Sequence, residues 1–422
     1  MTDIELAYGD GSVDVRLDSD QFSVLTNPAS SERPLSDAEI GAAFDSPIGS
    51  PNLDEIIEPG ESVLIVVSDA TRATASAQIV NLLVRRLIQN GTSPADIAVI
   101  FATGLHRTVT AQEKEDLLTS FIAQRVRTLE HNSADAGNLF KLGTTARGTI
   151  VSLNVALQKF TRTILTGGIG FHYFAGFTGG RKSVCPGLAA TETIEATHML
   201  ALDLEKGGRR EGVGAGLLDG NAVHEECELV AELASPTFCV NTIVNERKLP
   251  VALFCGDWRL AHRAGCEHYL RSHSTTIAEK RDVVIASCGG FPHDINLIQA
   301  HKALEMASYG CNDGGSIILL AECRDGHGRP DFLKWFDAPN SHSLEERLHT
   351  NYEVNGQTAW SLLTKAERYQ VYLVSDLPDE QVRRMRMIPS RSMSDAVSRV
   401  DGSAEGFVMP RGAGLLPRLA GD

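Results

Sequence analysis

Apolar runs of strand length alternate with amphipathic stretches of helix length along much of this chain. ESVLIVVSDA at 61–70 is followed by AQIVNLLVRRLIQ, then by DIAVIFATG, then by a polar helical segment from Ala111 to Ser120. The apolar runs are continuous rather than alternating, which predicts strands covered on both faces. Their alternation with helices predicts a largely parallel sheet. The rhythm returns in RDVVIASCGG, a helix over about Leu297 to Tyr309, GSIILLAEC and RYQVYLVSD. Between the two blocks, TFCVNTIVNERKLPVALFCG places two β-rich runs around a polar turn at Asn245 to Lys248, a hairpin pattern. The chain therefore reads as an α/β protein of two domains, each a largely parallel sheet covered by helices. An N-terminal domain over 1–272 and a Rossmann-like C-terminal domain over 273–399 are expected, with the active site in the cleft between them. The tail 400–422, which contains GFVMPRGAGLLP, is expected to return a last strand to the first domain.

Composition narrows the function classes. A chain of 422 residues is longer than one core usually serves, and 42% hydrophobic residues can fill two. The formal charge of -15, from 39 basic and 54 acidic side chains, opposes a polyanion-binding surface, so nucleic acid is excluded as a partner. No apolar run approaches the roughly 20 residues of a membrane span. The first residues also lack a basic start followed by an apolar stretch, so a cytoplasmic protein without membrane contact is expected. The eight cysteines are scattered, with no C-x-x-C pair, and several fall in apolar runs. Buried free thiols explain that pattern better than disulfides or a zinc cage.

The chemistry concentrates in GGIGFHYFAGFTGGRKSVCPGLAATETIEATHML at 167–200, where glycines surround two histidines and a lysine. Glycine at this density lets a backbone approach a ligand closely. The amides of the Gly179–Gly180 turn suit a nucleotide phosphate, with Arg181 and Lys182 beside it to balance charge. Two familiar phosphate motifs fail. Arg181 interrupts the Walker pattern, and neither Gly168-Ile169-Gly170 nor Gly214-Ala215-Gly216 has the third glycine of a dinucleotide fingerprint. Taken alone, Lys182 would be an ordinary loop charge and His198 a structural helix residue.

In combination these residues resemble the nickel-pincer lactate racemase family. HxxAGxxGGRK is present from His172 to Lys182 and is followed by His198. SDATR at Ser68 to Arg72, GLHR at Gly104 to Arg107 and the Gln299/Lys302 pair in NLIQAHKALEMA appear in the family's order, and the runs at Trp360 and Val371 are also similar. The resemblance implies that Lys182 carries a pyridinium mononucleotide covalently, with nickel held between two sulfurs and a ring carbon, and that His198 supplies the fourth ligand. Soft sulfur donors with imidazole suit square-planar nickel. The implied activity is racemisation or 2-epimerisation of a 2-hydroxy acid by hydride removal and return, which avoids the carbanion that deprotonation beside a carboxylate would create. Cofactor-biosynthesis enzymes are implied partners.

His106 and His172 match the family's pair of bases for the hydroxyl proton. Arg72 is the candidate to hold the substrate carboxylate, because a guanidinium recognises it in a planar bidentate manner. Asp69 would orient Arg72 or contact the nucleotide. Gln299 and Lys302, spaced i and i+3, share a helical face and would meet the substrate's oxygens. Trp360 would shield the nickel or pack a domain junction. Relatives specific for lactate carry a tyrosine before the glutamine, where this chain has Ile298, which leaves larger acids such as malate, aryl lactates or aldonic acids open. Two other classes compete. A metal-dependent hydrolase or lyase lacks support because His224 begins HEECE rather than HExxH. A non-catalytic cofactor carrier would need no pair of histidines.

Overall fold

The computed structural model describes residues 2–26 and 33–421, and they form two compact units. One unit contains 33–201 and 210–271. The other contains 2–26, 202–209 and 272–421.

The first unit is built on a six-stranded sheet. Its order across the sheet is Pro250–Gly256, Phe238–Val244, Arg162–Gly168, Val63–Ser68, Ile97–Ala102 and Arg127–Leu129. Every neighbouring pair is parallel except the edge hairpin of Phe238–Val244 with Pro250–Gly256, the hairpin the β-rich runs predict. Val63 to Val67 and Ile97 to Phe101 are buried without interruption, which explains why their sequences do not alternate. The helix Ser76–Gln89 covers them with Ile79, Val80, Leu83, Val84 and Leu87. Each such side chain contributes about 1.5–3 kcal/mol on burial. The opposite face is polar, and Arg86 there pairs with Asp45 (2.7 Å) and Asp54 (2.8 Å).

Connectivity decides where a ligand can sit. From Val63–Ser68 the chain moves outward to Ile97–Ala102 and Arg127–Leu129, then returns to Arg162–Gly168 on the other side of the starting strand. The connections leaving Val63–Ser68 and Arg162–Gly168 thus run in opposite directions along the sheet. In open parallel sheets this reversal leaves a crevice outside the carboxyl ends of the strands, where ligands bind.

The second unit also has a six-stranded sheet, entirely parallel, in the order Ile388–Ser390, Gln370–Val374, Cys311–Leu320, Arg281–Ser287, Gly406–Met409 and Phe22–Val24. The tail therefore joins this sheet. Gly406–Met409 pairs with Arg281–Ser287, and Leu416–Leu419 pairs with Ser274–Ile277, whereas the sequence pattern sent the tail to the first domain. The N-terminus departs from expectation in the same way. The hairpin of Thr2–Tyr8 with Gly11–Leu17 alternates strictly, and its apolar face (Leu6, Val15, Leu17) packs with Val283, Ile285, Ile318 and Val408. Short flanking strands carry little periodicity, and which sheet edge they extend is settled by that apolar face and by pairing register. No helix among the described residues is long and apolar enough to cross a membrane. All eight cysteines are buried and free.

Candidate active site

Three adjacent parallel strands end side by side, and each is followed by expected site residues. Asp69 and Arg72 follow Val63–Ser68, His106 follows Ile97–Ala102, and the segment leading to His172 follows Arg162–Gly168. This is the end of the sheet that the chain reversal marks.

Asp69 is buried, at 6% exposure, yet stays charged. Burial opposes its negative charge, but hydrogen bonds from His106 and Thr71, with the nearby Arg72, outweigh burial and hold its carboxyl below the usual range. One oxygen accepts from the Thr71 amide (2.9 Å) and hydroxyl (2.5 Å). The other accepts from Nδ1 of His106 at 2.7 Å. Because a carboxylate can only accept, His106 must carry its proton on Nδ1, which leaves the lone pair on Nε2 of this half-exposed ring. Arg72 is exposed and makes no side-chain hydrogen bond or ion pair among the described residues, so its fork can meet an incoming carboxylate.

His172 lies in a tight hairpin of Phe171–His172 with Gly176–Phe177. Its Nδ1 accepts from the amides of Phe174 (3.2 Å) and Ala175 (3.1 Å), which fixes the ring against the turn. Burial, then the charges of Lys182, Arg72, His198 and Arg181, lowers its pKa well below the ordinary value. Those electrostatic contacts bring His172, Lys182, Arg72 and His198 into one neighbourhood. Lys182 is lowered to about 7, chiefly by burial. The Cys227 thiol opposes the shift, and Arg181 and Arg72 reinforce it. Its amine is thus substantially neutral, and nucleophilic, near neutrality.

His198 sits in the last turn of the helix Thr191–Met199, and its Nδ1 donates to the Ile194 carbonyl at 2.8 Å. Burial and Lys182 lower its pKa to about 4. A neutral imidazole with Nδ1–H on a backbone carbonyl presents Nε2 as a ligand, the arrangement in which metal-bound histidines are held. Among the described residues no group of three or more His, Cys, Asp or Glu could hold a metal by itself. Any ion at His198 would need donors brought by a bound group. An amine poised for acylation beside such an imidazole fits a tethered, metal-carrying nucleotide.

The glycine turn differs from expectation in two respects. The Gly180 amide donates to Oδ1 of Asn241 at 2.8 Å, so it is not offered to a phosphate. These glycines are demanded by packing. At φ +81° and +50°, a Cβ on Gly179 would lie 2.8 Å from Asn241, and one on Gly180 would lie 2.7 Å from His262. Arg181, expected beside a phosphate, is turned fully inward, where it donates to the Ala175 carbonyl (2.7 Å) and meets Nε2 of His262 (2.7 Å). It staples the loop that presents Lys182. Asn241, His262 and Cys227 could not be picked out from sequence because they stand far from the glycines in the chain, and no local pattern announces a contact across 61 or 81 positions.

In the second unit, Gln299 and Lys302 share a face of the helix Leu297–Gly310, as their spacing predicts, and Nζ of Lys302 donates to Oε1 of Gln299 at 2.7 Å. Trp360 is 1% exposed within the helix Val354–Arg368.

A lactate racemase N-terminal domain model matches residues 8–208, and a lactate racemase C-terminal domain model matches 276–414. The lactate racemase of Lactiplantibacillus plantarum is 30% identical over 99% of this chain and its own full length. The chain belongs to the lactate racemase family. The lactate racemase of Thermoanaerobacterium thermosaccharolyticum is 29% identical, covering 99% of this chain and 100% of its own. The apoprotein structure from that organism superposes with a TM-score of 0.90 at 27% identity, with 99% and 100% of the two chains covered. A Thermotoga maritima protein, with a TM-score of 0.67 at 20% identity over 92% of this chain, shares the fold. As a member of the lactate racemase family matched over 99% of its residues, the chain is an isomerase, and both α/β domains expected from the sequence have counterparts in the family.

Proposed function

We propose that this lactate racemase family member inverts the carbinol carbon of a 2-hydroxy acid by hydride removal and return, acting in the cytoplasm on a cofactor supplied by dedicated biosynthetic enzymes. The observation that supports the reading is that Asp69 with Arg72, His106 and the segment leading to His172 follow three adjacent parallel strands, with Lys182 and His198 within electrostatic reach of His172.

Lys182 would tether the nickel-pincer nucleotide, and His198, through Nε2, would complete the nickel's ligands. When bound, that group supplies the hydride acceptor that no side chain can provide. The protein's own residues do the rest. Arg72 holds the substrate carboxylate through two parallel hydrogen bonds. His106 takes the hydroxyl proton at Nε2, and Asp69 stabilises the imidazolium so formed through the Nδ1 hydrogen bond. His172 is the second imidazole assigned to the reacting centre. Gln299 and Lys302 are assigned to the substrate's oxygens, and Trp360 to shielding or packing. With Ile298 where lactate-specific relatives carry tyrosine, the substrate reading extends to larger 2-hydroxy acids, for which inversion at one of several stereocentres is an epimerisation.

Chiral chromatography of single enantiomers from a panel of 2-hydroxy acids, incubated with protein co-produced with the cofactor-making enzymes, tests the reading. Conversion of at least one acid to its C2 epimer or enantiomer is expected. Release of water, of a cleaved product or of nothing across the panel would contradict it.

A further inference from the structure

The second sheet repeats the reversal that marks the first. From Arg281–Ser287 the chain moves outward to Cys311–Leu320, Gln370–Val374 and Ile388–Ser390, then returns to Gly406–Met409 on the other side of its starting strand. A crevice is therefore expected outside the carboxyl ends of Arg281–Ser287 and Gly406–Met409, which pair in register with Ala286 opposite Met409. Two glycines and an arginine stand at those ends. Gly289 and Gly290, at φ +100° and +72°, turn the chain away from the first strand, and Arg411 follows the second. A Cβ on Gly289 would lie 3.9 Å from Cγ of Arg411, so the arginine side chain passes over that bare turn. Arg411 is exposed. The next residue, Gly412, packs so closely on the helix Leu297–Gly310 that a Cβ there would lie 3.3 Å from Ala303. Ala303 is one turn from Gln299 on the same helical face. Arg411 thus stands at the crevice, beside the face already assigned to the substrate's oxygens.

The helix start has no amide to offer an anion. Leu297 donates to the Gly326 carbonyl (3.1 Å), Ile298 to the His327 carbonyl (3.4 Å) and Gln299 to Oδ1 of Asn296 (3.0 Å). A negative group entering this crevice must be met by side chains. Lys302 is a point charge whose Nζ already donates to Gln299 at 2.7 Å, and Ile298 contributes no polar atom where lactate-specific relatives carry a tyrosine. A guanidinium offers two parallel N–H groups to one carboxylate.

We infer that Arg411 is a specificity-determining residue that holds a second carboxylate, at the far end of the substrate, and that the preferred substrates are 2-hydroxy dicarboxylic acids. This deepens the reading above and rests on it. Arg72 keeps the carboxylate beside the inverted carbon, and the far carboxylate falls to Arg411. Malate is the smallest such acid with a stereocentre to invert. An aryl or polyhydroxy substituent would leave the guanidinium facing a neutral group.

Malate and its 4-carboxamide, which differ in charge at the far end but little in shape, provide the test. With loaded enzyme, inversion of each enantiomer of both acids is followed by chiral chromatography. The wild type should act on malate with a kcat/KM about 10–10²-fold higher, the difference expected for charge-assisted hydrogen bonds to one carboxylate. Arg411→Gln should remove most of that preference, and Arg411→Lys should keep part of it. The ratio is read within one protein, so a partly destabilised variant still answers. Equal efficiencies on the two acids in the wild type, or an undiminished preference in Arg411→Gln, would overturn the proposal.

A second measurement needs no turnover. In unloaded, arginine-labelled full-length protein, the 1H–15N signal of the Arg411 Nε–H is assigned by its loss in Arg411→Gln. Malate should move that signal at concentrations where the carboxamide does not. Equal movement by both acids, or by neither, would overturn the proposal. If the loaded wild type inverts no 2-hydroxy acid while malate still moves the signal, the parent reading fails and a dicarboxylate site remains.

Discussion

Each unit of this protein contains a lysine whose charge is opposed by its surroundings, half-buried Lys182 in the first and buried Lys365 in the second, and the two are managed in opposite ways. Lys365, in the second unit, meets Glu305, which also accepts two hydrogen bonds from Arg209 at 2.6 and 3.1 Å. Burial lowers Lys365 to about 8 against the pull of Glu305, and the carboxylate is held below its usual range by both cations despite its own burial. Lys182, in the first unit, has cations and thiols about it and no carboxylate among the influences on its charge, and it falls to about 7. A compensated buried charge fixes a local structure. An uncompensated one is costly unless the group gives up its proton, and a fold that tolerates that cost retains it for reactivity.

The sharpest way to break this contrast is to exchange each lysine for methionine. Lys182→Met should reduce racemisation to background while leaving thermal stability unchanged or slightly raised, as chiral assay and calorimetry would show. Lys365→Met should lower stability and retain turnover at temperatures where the protein is folded. Comparable activity losses in two stably folded variants would erase the distinction.

Next in size is Asp69→Asn. An amide can present its N–H to His106 and favour the wrong tautomer, so turnover should fall about 10²–10⁴-fold with the adduct on Lys182 retained. Full activity would mean that Asp69 does not set the His106 proton.

On the structural side of the comparison, Glu305→Ala takes the shared carboxylate away from buried Lys365 and half-buried Arg209. Denaturant unfolding should show a cost of about 3–5 kcal/mol. A change under about 1 kcal/mol would show that water already screens this cluster.

A smaller effect concerns a histidine outside the candidate site. His131 is 1% exposed, and its Nε2 donates to the Ala189 carbonyl at 3.1 Å. Burial lowers its pKa to about 4, against the opposing pull of that bond. Between about pH 4 and the ordinary histidine value near 6.5, the unfolded chain binds the proton and the folded one does not, so stability rises with pH. This contribution is complete above about pH 6.5 and is lost as pH falls toward 4. Its limit is about 3 kcal/mol, since each pH unit separating the folded and unfolded values is worth about 1.4 kcal/mol. His131→Gln should reduce the slope of unfolding free energy against pH by up to one proton's worth. An unchanged slope would assign the acid sensitivity to other groups.

These contrasts show how far residue patterns alone reach. The two parallel sheets were legible because doubly covered strands such as VLIVV and IAVIFA must be continuously apolar. The Gln299–Lys302 pair was legible because helical spacing is local. The placement of the N-terminal hairpin and the tail was not, since short strands are allotted to a sheet by packing that only the folded chain brings about. In the site, the resemblance supplied the residue identities but not their protonation. That Nδ1 of His106 carries a proton and Nδ1 of His172 a lone pair follows from hydrogen bonds to Asp69 and to two backbone amides. The inward turn of Arg181 was equally hidden, because its partner His262 lies 81 positions away.

The central claim is that Lys182 is an amine kept reactive so that a redox group can be attached to it. Peptide mass mapping of protein purified after co-production with the cofactor-making enzymes, paired with chiral assay of the same sample, tests it most directly. The account predicts added mass on the peptide containing Lys182, with activity rising in proportion to the modified fraction. Turnover by protein in which Lys182 is wholly unmodified would contradict it.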